Sequence, residues 1–409
     1  MEELTVKGGR PLYGTVRVSG AKNAALPLIF ATILTEEECI IENVPVIRDV
    51  EISLDILRAM GAEVYFPSRA TLSVCTKNMR AEAPPPDLVS ELRASTYLMG
   101  AMLGRFGRAY VQDFGGCNFS PRPIDLHLFA AAALGARRDG ACLLAEGGLS
   151  GDRIALRLPS VGATVNALLM AVRAKGETVI ENAACEPHVE NLIAYLLSMG
   201  AHIRREGGAL YVKGGPLHGG RVSVVGDMIE AGTYLLSAIA TGGSVTVTGC
   251  DSTHLASFLS LLSSGGATVR EEARGITVSG RLSVPITVRT APYPGFPTDL
   301  QPQTALVGAL CRGAVVTERV FPERFGYLTE LKKMGLSFVQ SGGSAYLFTS
   351  RLHPAAVEAP DLRGGAALVL AALHASGETA VRGAHRVLRG YESIVEKFSE
   401  LGANITLHQ

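Results

Sequence analysis

The feature that most constrains this chain of 409 residues is a unit that recurs six times. Near the end of each copy, a helix-like run closes on Gly followed by Ala or Leu, and a short polar-apolar alternation follows. The six glycines are Gly61, Gly135, Gly200, Gly266, Gly335 and Gly402, and successive ones lie 74, 65, 66, 69 and 67 residues apart. Repetition at a nearly constant period predicts a fold that is assembled from similar supersecondary units.

The first copy predicts the internal order of a unit. GTVRVSG alternates as a strand, AKNAALPLIFATIL is long enough for a helix, and CIIENVP is a β-branched strand closed by Asn and Pro. Asp49 is a candidate N-cap for a second helix, DVEISLDILRAM, which ends at Gly61 as its C′ residue. AEVYF and TLSVCT then form a hairpin, so each unit of about 68 residues is expected to fold as βαβαββ.

The first helices of the six units are rich in Ala, Gly and Leu. They begin in SGAKNAAL, ELRASTYL, PSVGATVN, DMIEAGTY, FPTDLQPQ and DLRGGAAL. Because a helix that is apolar on most faces is buried, we expect these six to form the interiors. A longer echo, LTVKGGRPLYGTVRV from Leu4 and LYVKGGPLHGGRVSV from Leu210, predicts two domains, 20–226 and 1–19 plus 227–409. The strand before Ser19 fits either half.

Composition excludes several classes of protein. Lys plus Arg and Asp plus Glu both number 38, which argues against a nucleic-acid or membrane binder that relies on bulk charge. The seven cysteines contain no CxxC pair and form neither a disulfide framework nor a zinc pattern. No apolar run is long enough to span a membrane, and the start lacks a signal-peptide pattern. We therefore expect a reduced, cytoplasmic protein.

Chemistry is expected where the six copies disagree, and the starts of the first helices differ most. Lys22, Arg93 and Arg363 lie at three of these starts, where a cation is unfavourable for the helix dipole but exposed N–H groups favour an anion. Solvated surface charge is the alternative interpretation. Three cations at equivalent starts of buried helices favour phosphate or carboxylate binding.

The longest unit contains GGCNFSPRPIDLH, in which paired glycines and two prolines predict a long loop around Cys117. A thiol near cations acquires a lowered pKa and becomes reactive, whereas an isolated Cys is more often inert. Asp299, in the proline-rich APYPGFPTDLQPQ, is either a plain N-cap or a carboxylate that faces the cations as a general base. Arg324 and Arg389 add cations in loops before second helices. No dinucleotide, P-loop, zincin or serine-hydrolase motif is present.

These residues together resemble the UDP-N-acetylglucosamine 1-carboxyvinyltransferase family of enolpyruvyl transferases over essentially the whole chain. The segments that carry the resemblance are SGAKNAALP at Ser19, LRAS at Leu92, GGCxxxxRPIDLH at Gly115, SVGAT at Ser160, APYPGFPTDLQPQ at Ala291 and RGYE at Arg389. The resemblance implies an α/β inside-out barrel with two domains of three βαβαββ units each, buried helices, and transfer of enolpyruvate from phosphoenolpyruvate to a UDP-sugar in cell-wall synthesis. Neither a cofactor nor a metal is implied, and protein partners are not indicated.

The family's site residues carry over by position. Phosphoenolpyruvate would contact Lys22, Asn23, Arg122, Arg324 and Arg389, with Asp361 and Arg363 nearby. The UDP-sugar would contact Arg93, the run Arg122, Pro123, Ile124, Asp125 and Leu126, the turn from Leu158 through Ser160 to Val161, and Asp299 and Val320. Asp299 would deprotonate the sugar 3-hydroxyl, and Cys117 would serve as proton donor and covalent acceptor. Lys22 and Arg389 complete the implied catalytic set.

The chain departs from the family pattern at a few positions. Met228 and Ala231 replace the Arg and Thr of a D-R-I-E-T-G motif, Tyr327 replaces a His, and Leu158 replaces a basic residue found in some members. Asn118 to Pro121 replace small loop residues. These departures leave open a catalytically weak paralogue that binds UDP-sugars and has a regulatory role. The shared fold leaves open a 5-enolpyruvylshikimate-3-phosphate synthase, which lacks the loop Cys and has Ser-Lys-Ser where this chain has Ala21-Lys22-Asn23. A scaffold solenoid would explain the repeat alone but not the cations.

Overall fold

The computed structural model describes residues 2–115, 122–272 and 275–408. Contacts divide the chain into two compact units. Unit I comprises 20–115 and 122–225, and unit II comprises 2–19 and 226–408 without 273–274. Among the described residues, no helix has both the length and the apolar character required to cross a bilayer.

The described strands are β1 Glu3–Gly8, β2 Tyr13–Arg17, β3 Cys39–Glu42, β4 Glu63–Ser68, β5 Thr71–Cys75, β6 Arg108–Tyr110, β7 Arg137–Asp139, β8 Cys142–Leu144, β9 Arg153–Ala155, β10 Glu177–Glu181, β11 His202–Glu206, β12 Ala209–Lys213, β13 Arg221–Ser223, β14 Ser244–Thr248, β15 Thr268–Glu272, β16 Gly275–Ser279, β17 Ile286–Arg289, β18 Ala314–Thr317, β19 Phe338–Ser341, β20 Ser344–Leu347, β21 Ala356–Glu358, β22 Gly377–Arg382 and β23 Asn404–His408.

The helices are α1 Lys22–Ala31, α2 Arg48–Ala59, α3 Pro86–Glu91, α4 Tyr97–Phe106, α5 Asp125–Ala133, α6 Val161–Ala171, α7 Pro187–Ser198, α8 Met228–Thr241, α9 Ala256–Ser264, α10 Gln301–Cys311, α11 Gly326–Lys333, α12 Leu362–His374, α13 Ala384–Leu388 and α14 Ile394–Glu400. Short 3-10 helices at Arg93–Thr96, Ser252–Leu255 and Thr298–Leu300 precede α4, α9 and α10, and one at Thr32–Leu34 follows α1.

Five sheets share one strand arrangement. Unit I contains the orders β13-β3-β5-β4 and β9-β10-β12-β11, and unit II contains β2-β14-β16-β15, β17-β18-β20-β19 and β21-β22-β1-β23. In each sheet the first pair is parallel and the other pairs are antiparallel. The described residues of the second repeat form a three-stranded sheet, β6-β8-β7. The third and fifth repeats form the predicted βαβαββ order from one contiguous segment, whereas the first, fourth and sixth sheets each include one strand from elsewhere in the chain.

The strand GTVRVSG does not belong to the repeat in which it begins. β2 runs parallel to β14 of the fourth repeat, from Tyr13 opposite Ser244 to Arg17 opposite Thr248. Its expected place in the first repeat is taken by β13, which runs parallel to β3. Likewise β1 lies between β22 and β23 in the sheet of the sixth repeat. The two echo segments alternate identically, so the sequence pattern does not specify which sheet each one joins.

The six repeat glycines end their helices in the same way. Their φ angles are 97, 90, 91, 101, 99 and 96° in chain order. In the first copy, the amide of Gly61 donates to Arg58 O and the amide of Ala62 donates to Leu57 O, which is the Schellman pattern. The other five copies repeat both bonds. The prediction that Gly61 is a left-handed C′ residue is confirmed.

The first helices form the interiors, as predicted. In unit I, α1 is buried from Ala24 to Ala31, and α6 from Ala163 to Ala171. In unit II, α8 is buried from Ile229 to Ala240 and α12 from Leu362 to Leu373. Their small residues allow close packing, while charged residues are confined almost entirely to the helix starts.

The prediction that Asp49 caps the second helix is wrong. Helix α2 begins at Arg48 after Ile47, so Asp49 lies inside the first turn and makes no cap. Its side chain is buried and accepts a hydrogen bond from Lys22 Nζ at 3.1 Å. An ion pair with a neighbouring helix therefore takes precedence over the local cap.

Candidate functional site

Asp299 lies at the centre of an ion-pair cluster in unit II. Its Oδ1 accepts from Arg324 Nη1 at 2.7 Å, and its Oδ2 accepts from Arg363 Nε at 3.1 Å and Nη2 at 2.9 Å. Arg324 and Arg363 are 4% and 1% exposed, whereas the Asp299 side chain keeps 23% of its surface. Asp299 makes no capping bond at the start of α10, so the plain N-cap interpretation is wrong.

The electrostatics of this cluster favour an ionised carboxylate. Burial alone would raise the pKa of Asp299, but Arg363 and Arg324 outweigh it and hold that pKa well below its usual range. Burial opposes the charge on Arg363, yet Asp299 raises the Arg363 pKa above its ordinary value. The single Asp299 carboxylate thus contacts two guanidinium groups. Arg363 Nη1 is also buried with no hydrogen-bond partner among the described residues, so it can donate to an incoming anion.

Helix starts and loops hold the other site residues predicted in unit II. Asp361 caps α12 by accepting from the amides of Arg363 at 2.9 Å and Gly364 at 3.1 Å, which fixes the turn that carries Arg363. The Arg363 guanidinium carbon lies 5.6 Å from the Tyr391 ring centre. Val320 follows strand β18 by three residues, and the half-buried Arg389 follows α13 directly.

A second buried carboxylate in unit II, Glu230, has a different environment. It is 2% exposed, and its Oε1 accepts from Lys397 Nζ at 2.5 Å while its Oε2 accepts from the Ser19 amide at 3.0 Å. Lys397 also donates to Ser19 Oγ at 2.7 Å. Burial raises the pKa of Glu230 to about 7, although Lys397 acts in the opposite direction. Glu230 is the Glu of the D-R-I-E-T-G motif, but the sequence did not indicate Lys397 and Ser19 as its partners.

In unit I, Lys22 is the first residue of α1 and lies beside Asn23. Its ammonium pairs with buried Asp49 at 3.1 Å and keeps 15% side-chain exposure. The cation is therefore neither buried completely nor directed freely into solvent. Asp49 anchors it at the start of the helix, where amide groups and a positive dipole end also favour an anion.

Arg93 and Arg122 are neighbours in unit I. Arg93 begins the 3-10 turn before α4, and its Nη2 donates to the carbonyl oxygen of Arg122. Burial and the positive charge of Arg122 lower the pKa of Arg93. Pro123 and Ile124 follow and lead into α5 at Asp125 and Leu126, and the Asp125 carboxylate pairs with Arg157. Two partly buried like charges favour an anion between or beside them.

The turn at Ser160 and Val161 begins α6. Ser160 Oγ accepts from the Ala163 amide at 3.4 Å and so acts as N-cap. The buried His127 ring packs closely against Gly162, and a Cβ atom added to that glycine would lie only 2.8 Å from His127 Cε1. His127 Nδ1 lies 2.8 Å from Asn166 Nδ2, whose Oδ1 accepts from the Gly100 amide at 2.7 Å. Burial and Arg93 lower the His127 pKa to about 4, so the imidazole is neutral.

Sequence reasoning placed His127 only as the end of a motif, since a single His in an apolar helix is more often a core residue. Cys117, and the replaced loop residues Asn118 to Pro121, lie outside the described residues. The described Asp, Glu, His and Cys side chains contain no group of three suited to a metal.

Comparisons with known proteins identify the family. The EPSP synthase (3-phosphoshikimate 1-carboxyvinyltransferase) family model matches residues 6–398. UDP-N-acetylglucosamine 1-carboxyvinyltransferase 2 of Bacillus anthracis is 46% identical, over 100% of this chain and 97% of its own. UDP-N-acetylglucosamine 1-carboxyvinyltransferase of Halothermothrix orenii is 44% identical, over 99% of each chain.

Solved structures show the same fold. The enolpyruvyl transferase NikO from Streptomyces tendae superposes with a TM-score of 0.88 at 28% identity, covering 99% of this chain and 98% of its own. EPSP synthase from Acinetobacter baumannii superposes with a TM-score of 0.75 at 19% identity, over 100% of each chain, and shows the fold alone. The predicted α/β inside-out barrel is confirmed. The chain belongs to the EPSP synthase family of enolpyruvyl transferases, and its predicted resemblance to the UDP-N-acetylglucosamine 1-carboxyvinyltransferases is confirmed.

Proposed function

We propose that this enzyme transfers the enolpyruvyl group of phosphoenolpyruvate to the 3-hydroxyl of UDP-N-acetylglucosamine and releases phosphate. Relatives named for that activity are 41–46% identical over nearly their whole length. The observation that carries the proposal is Asp299 between Arg324 and Arg363, since one carboxylate and two buried guanidinium groups supply a base beside an anion site.

We further propose that units I and II correspond to the two enolpyruvyl-transferase-like domains, 20–226 and 1–19 plus 227–409. The phosphoenolpyruvate ligands would be Lys22, Asn23, Arg122, Arg324 and Arg389, with Asp361 and Arg363 nearby. The UDP-sugar ligands would be Arg93, the run from Arg122 to Leu126, the turn from Leu158 through Ser160 to Val161, Asp299 and Val320. The anchored cations of both units support this assignment, because phosphate, diphosphate and carboxylate all require them.

The proposed reaction begins with attack of the sugar 3-oxygen on C2 of phosphoenolpyruvate. The hydroxyl proton goes to Asp299, and C3 gains a proton from Cys117, which forms a tetrahedral phospho-ketal. The Cys117 thiolate then takes a proton back from C3 as phosphate leaves C2, which restores the double bond. Guanidinium groups stabilise the phosphate as its negative charge develops.

The depressed pKa of Asp299 has a consequence for its role as base. A strongly ion-paired carboxylate is a weak proton acceptor, and efficient bases have a pKa near the working pH. An anionic substrate that binds Arg363 and Arg324 brings negative charge close to Asp299 and raises its pKa. We therefore propose that phosphoenolpyruvate binding itself makes Asp299 more basic.

In the cell, the proposed reaction would be the first committed step of peptidoglycan precursor synthesis in the cytoplasm. It would thus serve cell-wall biogenesis, cell shape and the cell division cycle. The proposed partners are the two small substrates, with no nucleic acid and no membrane. Cys117 would also make the enzyme a target of fosfomycin, an epoxide that mimics phosphoenolpyruvate.

Phosphate release from phosphoenolpyruvate, measured with UDP-N-acetylglucosamine and separately with shikimate 3-phosphate, tests the activity. We expect release only with the UDP-sugar, and no release with it at high enzyme concentration would contradict the proposal. Intact mass after fosfomycin treatment tests the thiol. Cys117→Ser should abolish the adduct, whereas Cys75→Ser, which changes a partly exposed cysteine of the described residues, should retain it. An adduct that persists in Cys117→Ser would overturn the assignment.

A further inference from the structure

One position of the repeat is distinctive in the fifth copy. It is the residue directly after the central strand that follows each buried helix. Asn43, Asn182, Gly249 and Gly383 hold it after β3, β10, β14 and β22, with φ of 55, 54, 83 and 68°. In the fifth repeat the position belongs to Glu318, which does not adopt the left-handed conformation.

The backbone contacts show that these positions are equivalent. In the first, third and fifth repeats, the residue after the parallel edge strand donates its amide to the last residue of the central strand: Val224 to Glu42, Leu156 to Glu181, and Thr290 to Thr317. Asn43 and Asn182 then donate their side-chain amides to the carbonyl oxygens of Val224 and Leu156. These asparagines fasten two strands together and do nothing else in the described contacts.

In the fifth repeat, the side chain at this position accepts hydrogen bonds, whereas the asparagines donate them. Glu318 is 2% exposed, and its Oε1 accepts from Thr290 Oγ1 at 2.6 Å. The same oxygen accepts from the amides of Val320 at 2.9 Å and Phe321 at 3.0 Å. Both positions differ from the other two repeats. Glu replaces Asn after the central strand, and Thr replaces an apolar residue after the parallel edge strand. A buried carboxylate is costly unless hydrogen bonds satisfy it, so strand fastening alone does not explain the exchange.

The other carboxylate oxygen of Glu318 is connected to Asp299, the candidate base, through a chain of hydrogen bonds. Glu318 Oε2 accepts from Thr298 Oγ1 at 3.0 Å, and Thr298 Oγ1 accepts from Arg324 Nη1 at 3.0 Å. The same Nη1 donates to Asp299 Oδ1 at 2.7 Å. Thr298 is adjacent to Asp299 in the 3-10 turn, so Glu318 holds the turn and the guanidinium that orients the carboxylate.

We propose that Glu318 is a positioning residue for the reaction: through the Thr298 hydroxyl it fixes Asp299 and Arg324, and through two amides it fixes Val320. This inference rests on the proposed function, in which Asp299 is the base and Val320 contacts the UDP-sugar. A misplacement of about 1 Å in such a group lowers turnover by as much as about 100-fold.

Two threonines provide a matched test, since both donate a hydroxyl hydrogen to Glu318 but only Thr298 contacts Arg324. Thr298→Val keeps the side-chain shape and should lower kcat at least about tenfold, with the KM for phosphoenolpyruvate changed less. Thr290→Val should lower the thermal stability to a similar extent but keep kcat within about threefold. Thr298→Ser restores the hydroxyl and should recover kcat.

Glu318→Gln retains the shape and one acceptor oxygen, so it should fold and reproduce the loss of kcat seen in Thr298→Val. Equal kcat in the two valine variants, or a loss of stability without a loss of kcat in Thr298→Val and Glu318→Gln, would overturn the inference. Calorimetry of UDP-N-acetylglucosamine binding compares Thr298→Val with Thr290→Val by affinity, without turnover. A wild-type enzyme that neither releases phosphate nor binds the sugar nucleotide would instead refute the proposed function, and this inference with it.

Discussion

Asp299 and Glu230 are two carboxylates of unit II that meet cations in the interior, and their protonation differs. Asp299 contacts two arginines and has a pKa well below its usual range, whereas Glu230 contacts one lysine and has a pKa of about 7. Asp299 keeps 23% side-chain exposure and Glu230 is 2% exposed. Burial raises the pKa of both carboxylates, and the direction of the net shift depends on whether the paired cations outweigh burial, as the two arginines do at Asp299 and the single lysine does not at Glu230.

This difference separates two functions of buried charge. Both charged partners of Asp299 in the described contacts are arginines, and the Asp299 side chain keeps enough exposure to contact a ligand. The Glu230 cluster has one charge of each sign, together with the Ser19 amide and hydroxyl, and its groups satisfy one another. Two cations around a partly exposed carboxylate therefore favour a binding site, and a closed pair favours a structural contact.

The largest expected effect is that of Asp299→Asn. It removes the proposed base while keeping its shape, so kcat should fall by about 1,000-fold or more. Two buried guanidinium groups also lose their counter-charge, which should cost about 3–5 kcal/mol of unfolding free energy. Phosphate release and urea unfolding measure the two effects. A kcat within tenfold of the wild type in this variant would show that Asp299 is not the base.

The pH dependence of stability tests Glu230. Its pKa is raised from 4.5 to about 7, so between these values the folded protein binds a proton that the unfolded chain has lost. The stabilisation is complete below about pH 4.5 and is lost as pH rises through 7. The unfolding free energy of the wild type relative to Glu230→Gln should thus fall by roughly 3 kcal/mol from pH 4.5 to 8.

The control for this pH series is Glu378→Gln, because Glu378 pairs with Lys7 on an exposed surface. Its stability relative to the wild type should stay nearly constant between pH 4.5 and 8. If the difference in unfolding free energy between the wild type and Glu230→Gln also stays constant over this pH range, Lys397 keeps Glu230 ionised. The contrast with Asp299 then disappears.

A smaller effect is expected for Arg363→Lys, which preserves the charge but loses the two bonds from Nε and Nη2 that converge on Asp299 Oδ2. The KM for phosphoenolpyruvate should rise by about 10- to 100-fold, since an ammonium group does not reproduce a guanidinium fork. Steady-state kinetics measure this change, and Arg382→Lys, at an exposed pair with Glu3, is the matched control. Equal KM values for the two variants would argue that Arg363 serves Asp299 only.

Local signals predicted much of the fold. Gly61 and its five counterparts, the buried first helices and the hairpin of β4 and β5 were all recognisable, because turn chemistry and apolar periodicity act over short distances. The exchange of β2 and β13 between sheets was not recognisable from the sequence. The two strands have similar sequences and could pair in equivalent sheets, so only tertiary packing selects between them. Asp49 was misassigned as a cap for the same reason: its partner, Lys22, lies on another element.

Only part of the candidate site was predicted from the sequence. Cations at equivalent helix starts pointed to Lys22, Arg93 and Arg363, because an unfavourable charge at a helix end needs an explanation. Glu318 was missed although comparison of the repeats contained the signal, namely Glu where two other copies have Asn directly after the same strand. An acidic residue after a strand is ordinary by itself, and it becomes informative only once the register of the copies is known.

The exchanged strands also impose an order of events during synthesis. Strand β1 leaves the ribosome ahead of the rest of the described chain and pairs with β22 and β23, which are separated from it by about 370 residues or more of sequence. Unit I requires only residues up to Ser223 of β13 and can complete its sheets early. Unit II cannot close its last sheet until translation of the described chain is nearly finished. The edges of β1 and β2 must therefore stay unpaired or protected for most of that time, which makes residues 3–17 the segment most exposed to mispairing in the nascent protein.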